Sequence, residues 1–245
     1  HQGHVDVVRV LLAHGADAST KDKCLSTPLH SVAIMGHEAL KLTGHDHEEV
    51  AKVLLLYTPD VSAKDIAGTT PLHCAALMGH EGQVALLLAH NAEVSAQDNG
   101  GRMPLLLASS EGYGAVVRLL LHNGADVSAK SNVGETALHW AAGDGREEVA
   151  KILLGHGAHV SARDNDGETP LHYAARHGKG AVARVLLDHG ADEQSTSNAG
   201  ETPQDMATAQ SHVEVAAMLT AEAVRRAQCV AFGTGAAGSA AERQL

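Results

Sequence analysis

One short phrase returns along this 245-residue chain at a fixed interval, and that interval constrains the fold more than any single residue. Thr-Pro-Leu-His begins at Thr27, Thr70 and Thr169, with variants beginning at Met103, Thr136 and Thr202. From Thr70 onward the copies start 33 residues apart, whereas the first two are separated by 43, one period plus ten residues. A fixed period of this length marks a stacked array of small units, each touching mainly its neighbours. Length therefore counts units, and one elongated domain is expected.

Composition limits what such an array can hold. Hydrophobic residues make up 44% of the chain but aromatics only 2%, so the core must be built from Leu, Val and Ala at close helix contacts. A formal charge of −11 opposes phosphate-backbone binding, and few aromatics leave no base-stacking platform. Nucleic acid is not an expected partner. Cys24, Cys74 and Cys229 are odd in number and lack metal-ligand spacing, which fits a reducing compartment. No apolar run approaches the roughly 20 residues of a bilayer span, and no signal-like segment opens the chain. The expectation is an intracellular, cytoplasmic protein without membrane insertion, a monomer by itself. His1-Gln2-Gly3-His4 reads as the end of a helix whose start is missing, so a fragment of a longer protein is expected.

The cleanest unit begins at Asp164. Asp-x-x-Gly predicts a tight turn, with Gly167 supplying a conformation that costs other residues more. Thr169 is placed to cap a helix, and Pro170 occupies the first helical position, where its missing N–H is no loss. Leu171, Ala174 and Ala175 then share one apolar face, and Gly178 ends the helix. A second helix follows over 181–187 and stops at Asp188-His189-Gly190-Ala191-Asp192. Neither helix can bury its face alone, so stacking must supply the stability.

The recurring Asp-x-x-Gly-x-Thr-Pro-Leu-His, Ala-Ala-x-x-Gly-His and Leu-Leu-x-x-Gly-Ala-Asp-Val resemble ankyrin repeats over roughly nine-tenths of the chain. The resemblance implies an all-α repeat protein, an ankyrin-type α-solenoid of helix-turn-helix units with projecting β-hairpin or turn loops. It also implies that His30, His73, His139 and His172 hydrogen-bond between repeats.

Three regions are expected: a partial repeat over 1–21 holding only the second helix, six repeats over 22–220, and a helix extension with a flexible Gly/Ala-rich tail over 221–245. The partial repeat should expose an apolar edge. Repeat one has Leu25 in place of the turn glycine, which predicts a distorted hairpin, and Thr58-Pro59-Asp60 where others have Gly-Ala-Asp. It also carries the ten-residue insertion near 38–47, either a longer first helix or a protruding loop. In repeat three Leu106 replaces the motif histidine and Tyr113 the usual His. Repeat six carries Gln204, Asp205 and Ser211, polar substitutions suited to a terminal cap.

Eighteen histidines invite a metal reading, above all His45-Asp46-His47-Glu48-Glu49 with His37 nearby. Adjacent polar residues in a loop do not make four converging ligands, so no metal and no cofactor are expected. Ser109, Ser110 and Glu111 beside a histidine lack a strained nucleophile turn or an orienting partner, so the chain reads as non-catalytic. Trp140 fits packing against a neighbour better than an exposed anchor. Family members hydroxylated on asparagine carry Val-Asn-Ala, but Ser62, Ser95, Ser128 and Ser161 stand at those positions. Lys21, Lys64, Lys130 and Arg163 share one phase and should form a charge-paired column beside Asp22, Asp65 and Asp164.

What remains is a surface. In the family, hairpin tips and exposed first-helix residues form a concave groove, and here those phases vary most. Ahead of the phrase stand Thr69, Arg102, Glu135 and Glu168, with Ser26 and Glu201 at the ends. First helices add Ile34 and Met35, Leu77 and Met78, Ser110 and Glu111, Asp144, then Arg176 and His177. The expected function is a non-catalytic protein-protein interaction scaffold. A partner segment would meet apolar contacts at repeats one and two and offer basic residues to Glu135, Glu168 and Glu201. The alternatives are a targeting or regulatory module of a larger enzyme or channel, and a structural spacer.

Overall fold

Each first helix begins where the phrase places it. The computed structural model describes residues 4–35 and 47–238, with side chains as far as Gln228, and among them are helices and turns but no strand. α1 (Val5–Ala13) stands unpaired at the N-terminal end. Three pairs follow: α2 (Pro28–Met35) with α3 (His47–Leu55), α4 (Pro71–Leu77) with α5 (Glu81–Ala89), and α6 (Pro104–Glu111) with α7 (Gly114–His122). Three more complete the stack: α8 (Ala137–Asp144) with α9 (Glu147–Gly155), α10 (Pro170–Arg176) with α11 (Gly180–Asp188), and α12 (Pro203–Ala209) with α13 (Val213–Gly238). The first helices pack on one another in chain order as one layer, and the second helices form the other. The motif leucines Leu72, Leu105, Leu138 and Leu171 run down the middle, each at most 2% exposed. Burying a leucine is worth about 1.5–3 kcal/mol, and the small Ala75, Ala108, Ala141 and Ala174 let the helices approach that closely.

The motif histidines join one unit to the next. His172 Nδ1 accepts the Thr169 N–H at 3.1 Å and sits 2.8 Å from its hydroxyl, so the capping expected of Thr169 is shared with the histidine. With Nδ1 an acceptor, the ring proton must lie on Nε2, which donates to the Glu201 carbonyl at 3.1 Å. His30 reaches Thr69 O at 3.0 Å, His73 reaches Arg102 O at 2.9 Å and His139 reaches Glu168 O at 3.1 Å. Burial holds His73, His139 and His172 below the ordinary imidazole pKa, so each is kept neutral. In repeat six Asp205 stands in the place of the histidine and accepts the Thr202 N–H at 2.9 Å.

Some local expectations hold and others need correction. The projecting elements are turns, joined from unit to unit by single backbone bonds such as Asn99 N–H to Ala67 O and Asn132 N–H to Gly100 O. The first turn is not distorted. Leu25 takes φ +61° in the place of glycine, and Asp22 still receives the Cys24 and Ser26 N–H groups at 2.8 and 2.9 Å. The side chain accepts a left-handed backbone because the Asp22 bonds fix the turn around it; that conformation costs about 1–2 kcal/mol. Thr58, at φ +50°, follows the same course. At Gly68 only glycine fits: φ is +76°, and an added Cβ would lie 2.5 Å from the Asn99 side chain.

α13 continues to Gly238, through most of the stretch read as flexible tail. Its first turns are docked by the buried Val215 and Leu219, so nucleation is already met and each further residue adds at the lower propagation cost. Arg226 fastens it, donating to Ala191 O at 3.0 Å and pairing with Glu193 at 2.8 Å. Residues 38–46 of the insertion lie outside the described residues; its last residue, His47, opens α3.

Candidate functional site

The candidate surface is the edge where the first helices end and the turns project. At repeats one and two it carries two aligned pairs: Ile34 and Met35 at the end of α2, and Leu77 and Met78 at the end of α4, each between 41% and 45% exposed. They stand at the same phase on neighbouring helices, and the His80 ring lies 3.3 Å from Ile34 O between them. Tyr113 continues the strip, its ring so close over Gly79 that a Cβ there would lie 2.6 Å away.

The other end is polar but already occupied. Glu168 is buried and its carboxylate is paired with Arg176, whose guanidinium also lies 5.6 Å from the Tyr173 ring centre. Glu135 receives the Trp140 indole N–H at 2.9 Å, and its other oxygen is 2.9 Å from the Tyr173 hydroxyl. That hydroxyl is also 2.8 Å from Asp164, so one proton serves two carboxylates. Burial first, and then hydrogen bonds to Asp164 and Glu135, hold Tyr173 protonated far above the ordinary phenol range. The expected acidic rail for a basic partner is therefore not free at Glu135 and Glu168; of the three, Glu201 alone is exposed. The reason is reach: Arg176 at the end of α10 folds back to Glu168 of its own turn, and Tyr173 extends to Glu135 in the turn of the preceding repeat, a contact no local pattern displays.

The remaining candidates divide in the same way. Thr69 bonds Asp65 through its hydroxyl at 2.6 Å, and Arg102 pairs with the buried Asp98 at 2.7 Å. Ser110 donates to Asp144 at 2.6 Å across the repeat boundary. Glu111, Asp144 and His177 are exposed. Trp140 packs against the core as expected.

Two columns went unrecognised in the sequence, and a third was recognised with the wrong partners. Asn99, Asn132, Asn165 and Asn198 each donate to the carbonyl one unit back, at 3.0–3.1 Å. His80, Arg146 and His212 each reach back to a carbonyl at the end of the preceding first helix. Lys64, Lys130 and Arg163 donate forward to Gln97 O, Arg163 O and Thr196 O at 2.7–2.8 Å. The last are thus carbonyl caps rather than partners of the turn aspartates, whose oxygens accept their own turn N–H groups. The signal for all three was available as recurrence at the repeat period.

Groups suited to chemistry are otherwise engaged. Ser109 is fully buried and donates to Leu105 O at 2.7 Å, and burial pushes the Cys74 thiol up to about 11. Imidazoles of His14, His90, His156 and His189 each sit 2.8–2.9 Å from a carbonyl one turn back at a helix end. No cluster of three or more His, Cys, Asp or Glu among the described residues could hold a metal ion. His45 and Asp46 of the considered cluster lie outside them. No helix among the described residues is long and apolar enough to cross a membrane.

Comparison with curated proteins gave no match. A profile described as ankyrin repeats (3 copies) matches residues 42–131, 97–164, 128–197 and 162–229, and one described as ankyrin repeats (many copies) matches 1–42. Such repeats generally serve as protein-protein interaction modules. Covered in phase from the first profile to the last, the chain belongs to the ankyrin-repeat family.

Proposed function

We propose that this chain is a non-catalytic scaffold that holds a segment of a protein partner along the edge formed by its first helices and turns. The observation that carries this reading is the register of Ile34, Met35, Leu77 and Met78, four exposed apolar side chains aligned across α2 and α4. Contiguous exposed apolar surface of this kind is costly in water and is characteristic of interaction sites. The polar end contributes less attraction than its composition suggests, because Glu135 and Glu168 are already bonded within the fold. The partner segment is therefore anchored by apolar side chains at repeats one and two, with Glu111, His177 and Glu201 open for polar contacts beyond them. Binding of this composition depends only weakly on salt.

The test is photo-crosslinking of the whole protein with a reactive side chain at position 78, followed by capture and identification. Leu77→Glu with Met78→Glu should cut partner binding at least tenfold while leaving thermal stability unchanged. Undiminished capture by that double variant, folded as the parent, sinks the reading.

A further inference from the structure

The boundary between repeats one and two is marked by one polar side chain in an apolar column. Gln83, near the start of α5, is 4% exposed, and its Nε2 has no hydrogen-bond partner among the described residues. At the same phase α3, α7, α9, α11 and α13 carry Val50, Val116, Val149, Val182 and Val215, each at most 4% exposed. The position faces the second helix of the preceding unit: a Cβ added at Gly180 of α11 would lie 3.7 Å from Val215 of α13. By the same register Gln83 faces α3, and a Cβ on the adjoining Gly82 would lie 3.1 Å from the Glu48 carboxylate. A buried amide N–H without a partner loses its hydration and gains no bond in return, so this contact is the poorest of its column.

The hydrophobic core divides at the same place. Among the described residues the buried apolar side chains form two groups. One holds Leu12, Leu29, Val32, Val50 and Leu54, and the other runs on from Leu72 to Leu219. The two layers are not equally affected. In the first-helix layer Ala33 of α2 packs with the larger group, the His30 ring lies 3.0 Å from Thr69 O, and the Ile66 N–H donates to Cys24 O at 2.9 Å. In the second-helix layer α3 meets α5 across the unsatisfied amide. Repeat one is also strained internally, since Leu25 and Thr58 hold left-handed backbones at φ +61° and +50°.

We infer that this seam is a hinge built into the array. The stability of a stack is a sum of unit terms and nearest-neighbour interface terms, so it parts first at its poorest interface. α3 separates from α5 while α2 stays joined to α4, and α1, α2 and α3 swing as one body about the first-helix layer. The hinge lies between the pair Ile34 and Met35 and the pair Leu77 and Met78, so its angle sets the spacing of the apolar strip. That last consequence rests on the proposed function of the strip; the hinge itself does not.

The test is native-state hydrogen exchange on the whole protein with no partner present. Amides of residues 51–55 in α3 should be at least tenfold less protected than those of residues 118–122 in α7. Gln83→Val, which supplies the residue found in the other five helices, should close that gap by at least tenfold. Equal protection of α3 and α7 in the parent overturns the inference. So does a gap that Gln83→Val leaves unchanged in a folded protein, which would assign the fast exchange to fraying from α1. Partner capture does not enter this measurement, so a failed hinge leaves the binding strip standing, and a failed strip leaves the hinge.

Discussion

Repeats one and two and repeats four and five present the same edge to solvent with opposite treatments of their side chains. In the first pair Ile34, Met35, Leu77 and Met78 stand exposed with no intramolecular role that their chemistry requires. In the second pair Glu135, Glu168, Tyr173 and Arg176 stand at the edge too, but Glu135 is bonded by Trp140 of its own unit and by Tyr173 of the next, and Glu168 by Arg176 of its own unit. The lesson is that charge at a groove position is not by itself a binding signal. A carboxylate with a neighbouring donor in reach satisfies it within the fold, whereas an exposed Leu or Met gains only by meeting something else.

Acid should provide the broadest check, because it strikes both halves through the buried imidazoles. His73, His139 and His172 have depressed pKa values when folded, so the unfolded chain binds protons first as pH falls below about 6.5. Their contribution is complete above that value and is lost progressively as pH falls toward the folded values. Urea titrations between pH 7.5 and 5 should show declining stability; a flat profile would remove these histidines from the account. A sharper break between the halves comes from Glu168→Lys, expected to destabilise by about 2 kcal/mol because Arg176 loses its partner beside a second cation. A free binding carboxylate would show no such loss. Tyr173→Phe should cost about 1 kcal/mol through the bonds to Glu135 and Asp164, measured in the same way. Leu25→Gly should raise stability by up to about 1 kcal/mol by relieving the left-handed leucine; a loss would mean the side chain contributes packing that outweighs the strain. The smallest change, under about 0.5 kcal/mol, is expected for Leu77→Glu with Met78→Glu, and a large one would show that the apolar strip serves the fold.

The frame was readable because its determinants are local. Thr70 and Pro71 start a helix by their own geometry, Gly79 ends one, and the repetition of those marks sets the count of units. The apolar half of the candidate surface was readable for a related reason: Leu77 and Met78 fall outside the face defined by Leu72, Ala75 and Ala76. The acidic half was misread because Tyr173 lies 38 residues from Glu135, and no spacing rule connects them until α8 and α10 are packed together. The turn at Leu25 was misread in the other direction. Its missing glycine suggested distortion, yet the Asp22 carboxylate holds the loop and imposes the conformation on leucine.

By itself, the sequence determined where the first helices start, the unit period and the identity of the buried leucines, since each follows from backbone preferences and solvent exclusion acting over a few residues. Only the tertiary structure decided which histidine nitrogen carries the proton, which carboxylates are free and which apolar face is left open. Those properties belong to groups brought within about 3 Å of each other from different units, and hydrogen bonding depends on that distance rather than on position along the chain.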